Sequence, residues 1–258
     1  MSRRETKILN ELRGEGFTAL NRKQWGSNRR GTYQARRVTR RFVGPADHFF
    51  AHVTVTRDTG NRLRDFKADC RTVEEIGWSR FRTGTSYNWM VDQKSGDIAL
   101  GMPLDAAGAH TINNKNVPGF PNNLNYWGHA IVWIGNVGDV PSQRAKDAYA
   151  AIIAAEKKHG AAKDGAEIYP HSKFAAKSCP LPVMTAALPG IMRASRSILA
   201  AKPAPKKRKP KPTRITLAKV RIAGTLEILD AAVRGGRKGR VAKVRSAIRR
   251  QSARLPRR

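Results

Sequence analysis

Apolar and polar side chains alternate along residues 49–56, FFAHVTVT. Phe49, Ala51, Val53 and Val55 fall on one side, and Phe50, His52, Thr54 and Thr56 on the other. A period of two predicts a β-strand and sets His52 on its more polar face. Residues 86–92, SYNWMVD, predict a second strand, and residues 97–100 a short third after a turn at Ser95 and Gly96. Residues 130–134, AIVWI, are apolar on both faces, the pattern of a central strand. The period becomes helical over 141–159, PSQRAKDAYAAIIAAEKKH. Ser142 is the expected N-cap, and Ala145, Ala148, Tyr149, Ile152 and Ile153 form the apolar face. Lys157 and Lys158 occupy the last turn and Gly160 is the stop. Together these elements predict an α/β fold, a central mixed sheet flanked by helices.

Both ends of the chain depart from this pattern. Residues 201–213, AKPAPKKRKPKPT, interleave four prolines with basic side chains, which predicts an extended, self-repelling linker. Beyond it, Ile222, Leu226, Leu229 and Val233 recur at helical spacing, weakened by Gly224. After the GGRKGR stretch at 235–240, Val241, Val244 and Ile248 line one side of a second basic segment. The expected organisation is a basic N-terminal segment (1–19), a folded domain (20–200), the linker (201–213) and a basic, amphipathic tail (214–258).

Charge sharpens this division. The 258 residues hold 50 Lys+Arg against 19 Asp+Glu, a formal charge of +31. Residues 1–45 contribute +9, residues 46–200 only +4, and residues 201–258 +18. Such asymmetry calls for a polyanionic partner, and nucleic acid, anionic lipid and anionic wall polymer all qualify. An apolar fraction of 40% excludes a wholly disordered chain. No apolar run approaches the roughly 18 residues of a membrane span, so no transmembrane segment is expected. Two cysteines, Cys70 and Cys179, make no disulfide framework. The first residues carry charges and no secretory signal pattern, so synthesis in a cytoplasm without a signal peptide is expected.

The candidate chemistry centres on YPHSKFAAKSCP, residues 169–180, where eight residues separate His171 from Cys179. Neutral imidazole and thiolate are both good zinc ligands, and a third ligand with an open fourth position makes a catalytic site. An extended, proline-bounded segment puts Lys177 and Cys179 on the same side, where a lysine can stabilise an oxyanion. The same residues equally describe a surface loop with a half-buried free cysteine. His48 lies four positions before His52, roughly 13 Å away on a strand, too far to share a metal with it. His159 reads as a solvated charge at a helix end, and His129 and Cys70 as structural. His110 sits on a loop after Gly108 and can contact substrate.

The ordered segments RKQWGS (22–27), AHVTVT (51–56), SYNWMVD (86–92), GMPLDAAGAH (101–110), AIVWIGN (130–136) and HSKFAAKSCP (171–180) change the picture. Their order and spacing resemble the phage-type zinc N-acetylmuramoyl-L-alanine amidases of the peptidoglycan-recognition-protein fold, over about residues 20–185. The resemblance implies one Zn2+ ion held by His52, His171 and Cys179. It also implies catalytic roles for Tyr87 and Lys177, a substrate contact at His110, and a fold role for Trp25. Ser86 and Asn88 beside Tyr87, Val53 after His52 and Leu181 after Pro180 depart from the family pattern, and bear on substrate preference more than on chemistry. The loop 111–127 is longer and more polar-aromatic than usual and is expected to border the groove.

The activity so implied is hydrolysis of the amide between N-acetylmuramic acid and L-alanine in bacterial peptidoglycan, by a phage endolysin that reaches the cell wall. The basic tail is then expected to hold the enzyme at an anionic envelope surface, with no obligatory nucleic-acid partner. Two other classes remain open: a peptidoglycan-binding module without catalysis, and a basic nucleic-acid-binding protein whose charged ends do the work.

Overall fold

In the computed structural model the described residues are 1–28, 44–56, 60 and 62–201. The expected linker beyond residue 201 and the expected tail lie outside them. Among these residues six strands form one sheet in the order β1-β4-β3-β5-β2-β6. They are β1 (Ala19–Leu20), β2 (Ala46–Val53), β3 (Trp89–Asp92), β4 (Ile98–Leu100), β5 (Gly128–Ile134) and β6 (Ala162–Pro170). Only the β3–β4 pair is antiparallel. The expected mixed sheet with flanking helices is therefore the observed fold, and residues 130–134 lie in β5, between β3 and β2.

Helices α1 (Arg3–Gly14), α4 (Gln143–Lys158) and α5 (Pro182–Ala200) cover one face. Helix α1 starts from a reciprocal capping box between Ser2 and Glu5 and buries Ile8, Leu9 and Leu12. Burial of each such side chain contributes about 1.5–3 kcal/mol. Ser142 caps α4 as expected, accepting from the backbone N–H of Ala145. Against these helices lie Phe49, Ala51 and Val53 of β2 with Trp89, Val91, Ile131 and Trp133. On the other face, α3 (Leu63–Phe81) sets Phe66, Cys70 and Val73 against Met90, Ala99, Val132 and Ile134. Trp25, at the end of α2 (Arg22–Trp25), joins this layer and donates its indole N–H to the Leu100 carbonyl at 2.9 Å.

Helix α3 stops short of β2. On that half of the sheet Phe50 is covered by loop residues instead: Leu124, Phe174, Val117 and Phe120, with Tyr169 of β6. Next along the same side of β2 comes His52. A sheet face covered by loops is where binding groups gather, because the scaffold is rigid while the cover is variable.

Three expectations need correction. The first strand runs over Ala46–Val53 rather than 49–56: Val55 takes a left-handed backbone (φ 54°), and Thr54 turns its hydroxyl to the Gly135 carbonyl. The second begins at Trp89 rather than Ser86. Ser86 is left-handed (φ 62°), and the Asn88 carboxamide oxygen, not a ladder carbonyl, accepts the Ala130 N–H. His159 ends α4 as expected but is not fully solvated: its Nε2 lies 3.6 Å from a Glu11 oxygen, and its side chain is 19% exposed.

Candidate metal centre

Two adjacent parallel strands bring the centre together. His52 is the penultimate residue of β2, and His171 follows directly on the last residue of β6, which pairs with β2 up to Ala51–Pro170. The chain does not run extended after Pro170, as the sequence reading expected. It makes a 3₁₀ turn over His171–Lys173, Phe174 plugs the loop-covered aromatic cluster, and Cys179 returns to the end of β2 just before α5. The donor atoms of His52, His171 and Cys179 all lie within 4.8 Å of one another. The rings of His52 and His171 are 4.6 Å apart, and Nδ1 of His52 faces the Cys179 sulfur at 3.6 Å.

The surroundings suit a metal ion. Burial first, then the charges of its neighbours, keep His52 well below the ordinary imidazole pKa. Burial and the cation of Lys177 push His171 down to about 4. Both rings are thus neutral with a lone pair to give. Burial pushes the Cys179 thiol up to about 11, against the pull of the Val53 N–H and the Lys177 charge. That N–H donates to the sulfur at 3.3 Å. Two neutral imidazoles and one thiol, with a hydrogen-bond donor already on the sulfur, match the donor set of a catalytic zinc site.

Lys177 is exposed, and its charge acts on His52, His171 and Cys179 alike. Tyr87 is half-buried with its ring 5.1 Å from that of His52. Burial, with a smaller push from Cys179, raises its pKa further above the ordinary phenol value, so it stays a hydrogen-bond donor. His110 is 7% exposed, with its ring 5.4 Å from His52 and 5.6 Å from Phe50. Burial, followed by the charges of His171 and His129, pushes it down to about 3. A Cβ at Gly108 would lie 2.2 Å from the Ser86 carbonyl, so only glycine lets the His110 loop lie against the Tyr87 loop. All six residues singled out from the sequence therefore gather here. His129 stands apart, fully buried and bonded to Glu156 at 2.6 Å and to the Leu104 carbonyl at 3.0 Å.

Thr111 went unnoticed in the sequence. Its hydroxyl lies 3.2 Å from Nε2 of His52 and 3.1 Å from Nδ1 of His110. A threonine in a polar loop carries no signal; its neighbour His110 was the only pointer. The loop 111–127 does form one wall, through Thr111, Val117, Phe120 and Leu124. Lys173 completes that wall with its ammonium 4.0 Å from the Tyr169 ring centre and 4.5 Å from that of Phe120.

Comparison with known proteins gives the family and the fold. The family described as N-acetylmuramoyl-L-alanine amidase matches residues 43–182. None of the curated proteins matches the chain. Among solved structures, Drosophila PGRP-LB is similar at a TM-score of 0.53 and 21% identity, covering 65% of this chain and 90% of that one. Drosophila peptidoglycan recognition protein SA is similar at 0.55 and 20% identity, covering 67% and 91%. Human PGRP-IBETAC, solved in complex with glycosamyl muramyl pentapeptide, is similar at 0.52 and 21%, covering 66% and 93%. At such identities the likeness is one of fold.

Proposed function

Since the chain belongs to the N-acetylmuramoyl-L-alanine amidase family, we propose that it hydrolyses the amide joining N-acetylmuramic acid to L-alanine in bacterial peptidoglycan, with one zinc ion held by His52, His171 and Cys179. The observation that carries this reading is the convergence of two imidazoles and a thiol within 4.8 Å at the ends of β2 and β6. A peptidoglycan-binding module without catalysis has no need of such a donor set.

A zinc ion held by these three residues would supply Lewis acidity towards water and a carbonyl oxygen. The protein's own groups supply the rest. Lys177, exposed beside one buried and two half-buried donors, can share the negative charge that develops on the scissile carbonyl oxygen. Tyr87 keeps its proton and can donate a hydrogen bond to the attacking water or to the developing oxyanion. The Val53 N–H steadies the thiolate, and His110 offers a buried imidazole to the substrate. Among the described residues no carboxylate joins the three donors.

In the same reading the protein is a phage endolysin, made in the host cytoplasm and acting on the cell wall, with its basic tail drawn to the anionic envelope. Mass spectrometry of purified peptidoglycan digested by the protein tests the activity, run with zinc, after chelation and after zinc is restored. Free stem peptides beginning at L-alanine, released only with metal, are expected. Intact glycan–peptide links in every sample would leave the binding module as the better reading.

A further inference from the structure

The Thr111 hydroxyl stands between two imidazoles and carries a single proton. One neighbour is Nε2 of His52 at 3.2 Å, the other Nδ1 of His110 at 3.1 Å. A hydroxyl placed so can accept from one ring and donate to the other; accepting from both would leave its own proton without an acceptor among the described residues. The position is built. The Asn125 carboxamide oxygen accepts the N–H of His110 at 2.7 Å and of Thr111 at 2.9 Å, and Asn125 is itself held by Asn123 at 2.9 Å. Thr111 is 2% exposed, so water does not compete for these bonds.

His52 decides the direction. Its Nδ1 faces the Cys179 sulfur, so a metal in the centre takes the Nδ1 lone pair and the ring proton must sit on Nε2. Nε2–H then donates to Thr111, and the hydroxyl proton points to Nδ1 of His110. That ring must carry its own proton on Nε2, a buried atom with no hydrogen-bond partner among the described residues.

We propose that Thr111 is a positioning residue that ties the tautomer of His110 to that of His52, so that a loaded metal centre presents His110 as an Nε2–H donor. The inference rests on the reading of His52, His171 and Cys179 as a metal centre. It assigns His110 the chemistry of its contact: it recognises a hydrogen-bond acceptor, such as a carbonyl or sugar oxygen, and not a donor.

The test is ¹⁵N–¹H correlation spectroscopy of the histidine side chains in the zinc-loaded full chain, beside zinc affinity from chelator competition. In the wild type, His52 and His110 are both expected protonated on Nε2, with an acceptor-type Nδ1 on His110. Thr111→Val should let His110 populate both tautomers and weaken zinc binding about 10-fold, the lower end for loss of a group that orients a ligand. Thr111→Ser should restore both. A wild-type His110 protonated on Nδ1, or a tautomer unmoved by Thr111→Val, overturns the relay. The wild-type spectrum decides even if the valine variant fails to fold. Should zinc not bind, or bind without moving the His52 resonances, the metal centre fails and the relay with it.

Discussion

Lys177 and Cys179 stand two residues apart and separate cleanly by experiment. On the proposed reading, replacing the sulfur removes one of the three donors, whereas replacing the lysine removes only a charge beside them. Cys179→Ser is expected to lose bound zinc and activity together. Lys177→Ala should keep one zinc per chain while turnover falls about 10²-fold, the scale for losing one group that stabilises an oxyanion. Metal analysis and kinetics on the same preparations check both, and near-normal turnover of Lys177→Ala would remove it from the mechanism. The three donors stood out only through the family resemblance, since on their own His171 and Cys179 equally described a surface loop. Thr111 did not, since its role comes from which two rings it touches. The expected extended backbone after Pro170 failed for a local reason, since the chain turns at His171–Lys173 and the Lys177 N–H bonds the Ala175 carbonyl, yet the Lys177 charge still acts on Cys179.

At the scale of elements, sequence reading found the strands of the inner sheet and α4, and assigned nothing to α1, α3, α5 or β6. In α1 only Ile8, Leu9 and Leu12 face the core among many charges, and α5 carries Pro189 inside its length. Strand β6 holds Gly165 and a run of exposed polar positions, the composition of an edge strand. Helix α3 has the close approach that matters most to the site. A Cβ at Gly77 would lie 1.8 Å from the Gly84 carbonyl, in the loop that leads to Tyr87. Gly77→Ala is therefore expected to destabilise the domain by about 1–3 kcal/mol in denaturant titration, although alanine is the better helix former. Helix α1 is tied in by Glu5, which binds Arg22 at 2.9 Å and the Leu104 N–H at 3.3 Å. Burial pushes this carboxyl up, but Arg22 and the backbone N–H groups of Ser2 and Leu104 together hold it below the ordinary value. A lowered folded pKa means stabilisation that is present above the unfolded pKa and lost as pH falls through the folded one. Glu5→Gln should thus lower the Tm at pH 7, and the gap to wild type should close in acid below about pH 4.

At the scale of the whole molecule, the charge divides more sharply than any other property. The expected linker and tail hold +18 of the +31, and the metal ligands lie far from them in sequence. If the tail serves only to concentrate the enzyme on an anionic surface, truncation after residue 201 should leave cleavage of soluble peptidoglycan fragments unchanged. The same truncation should reduce sedimentation with anionic vesicles and the salt dependence of killing whole cells. Unchanged killing by the truncated chain would reject that role. The centre itself has a history in time as well as a place. His52 and Cys179 lie 127 residues apart, and β2 meets β6 only through long-range parallel pairing. Such pairings form slowly, because the intervening chain must be ordered before they yield any gain. On the proposed reading, metal capture is then a late step of folding and not its template. In stopped-flow refolding, zinc uptake should lag the burial of Trp89 and Trp133 in the sheet and should not hasten it.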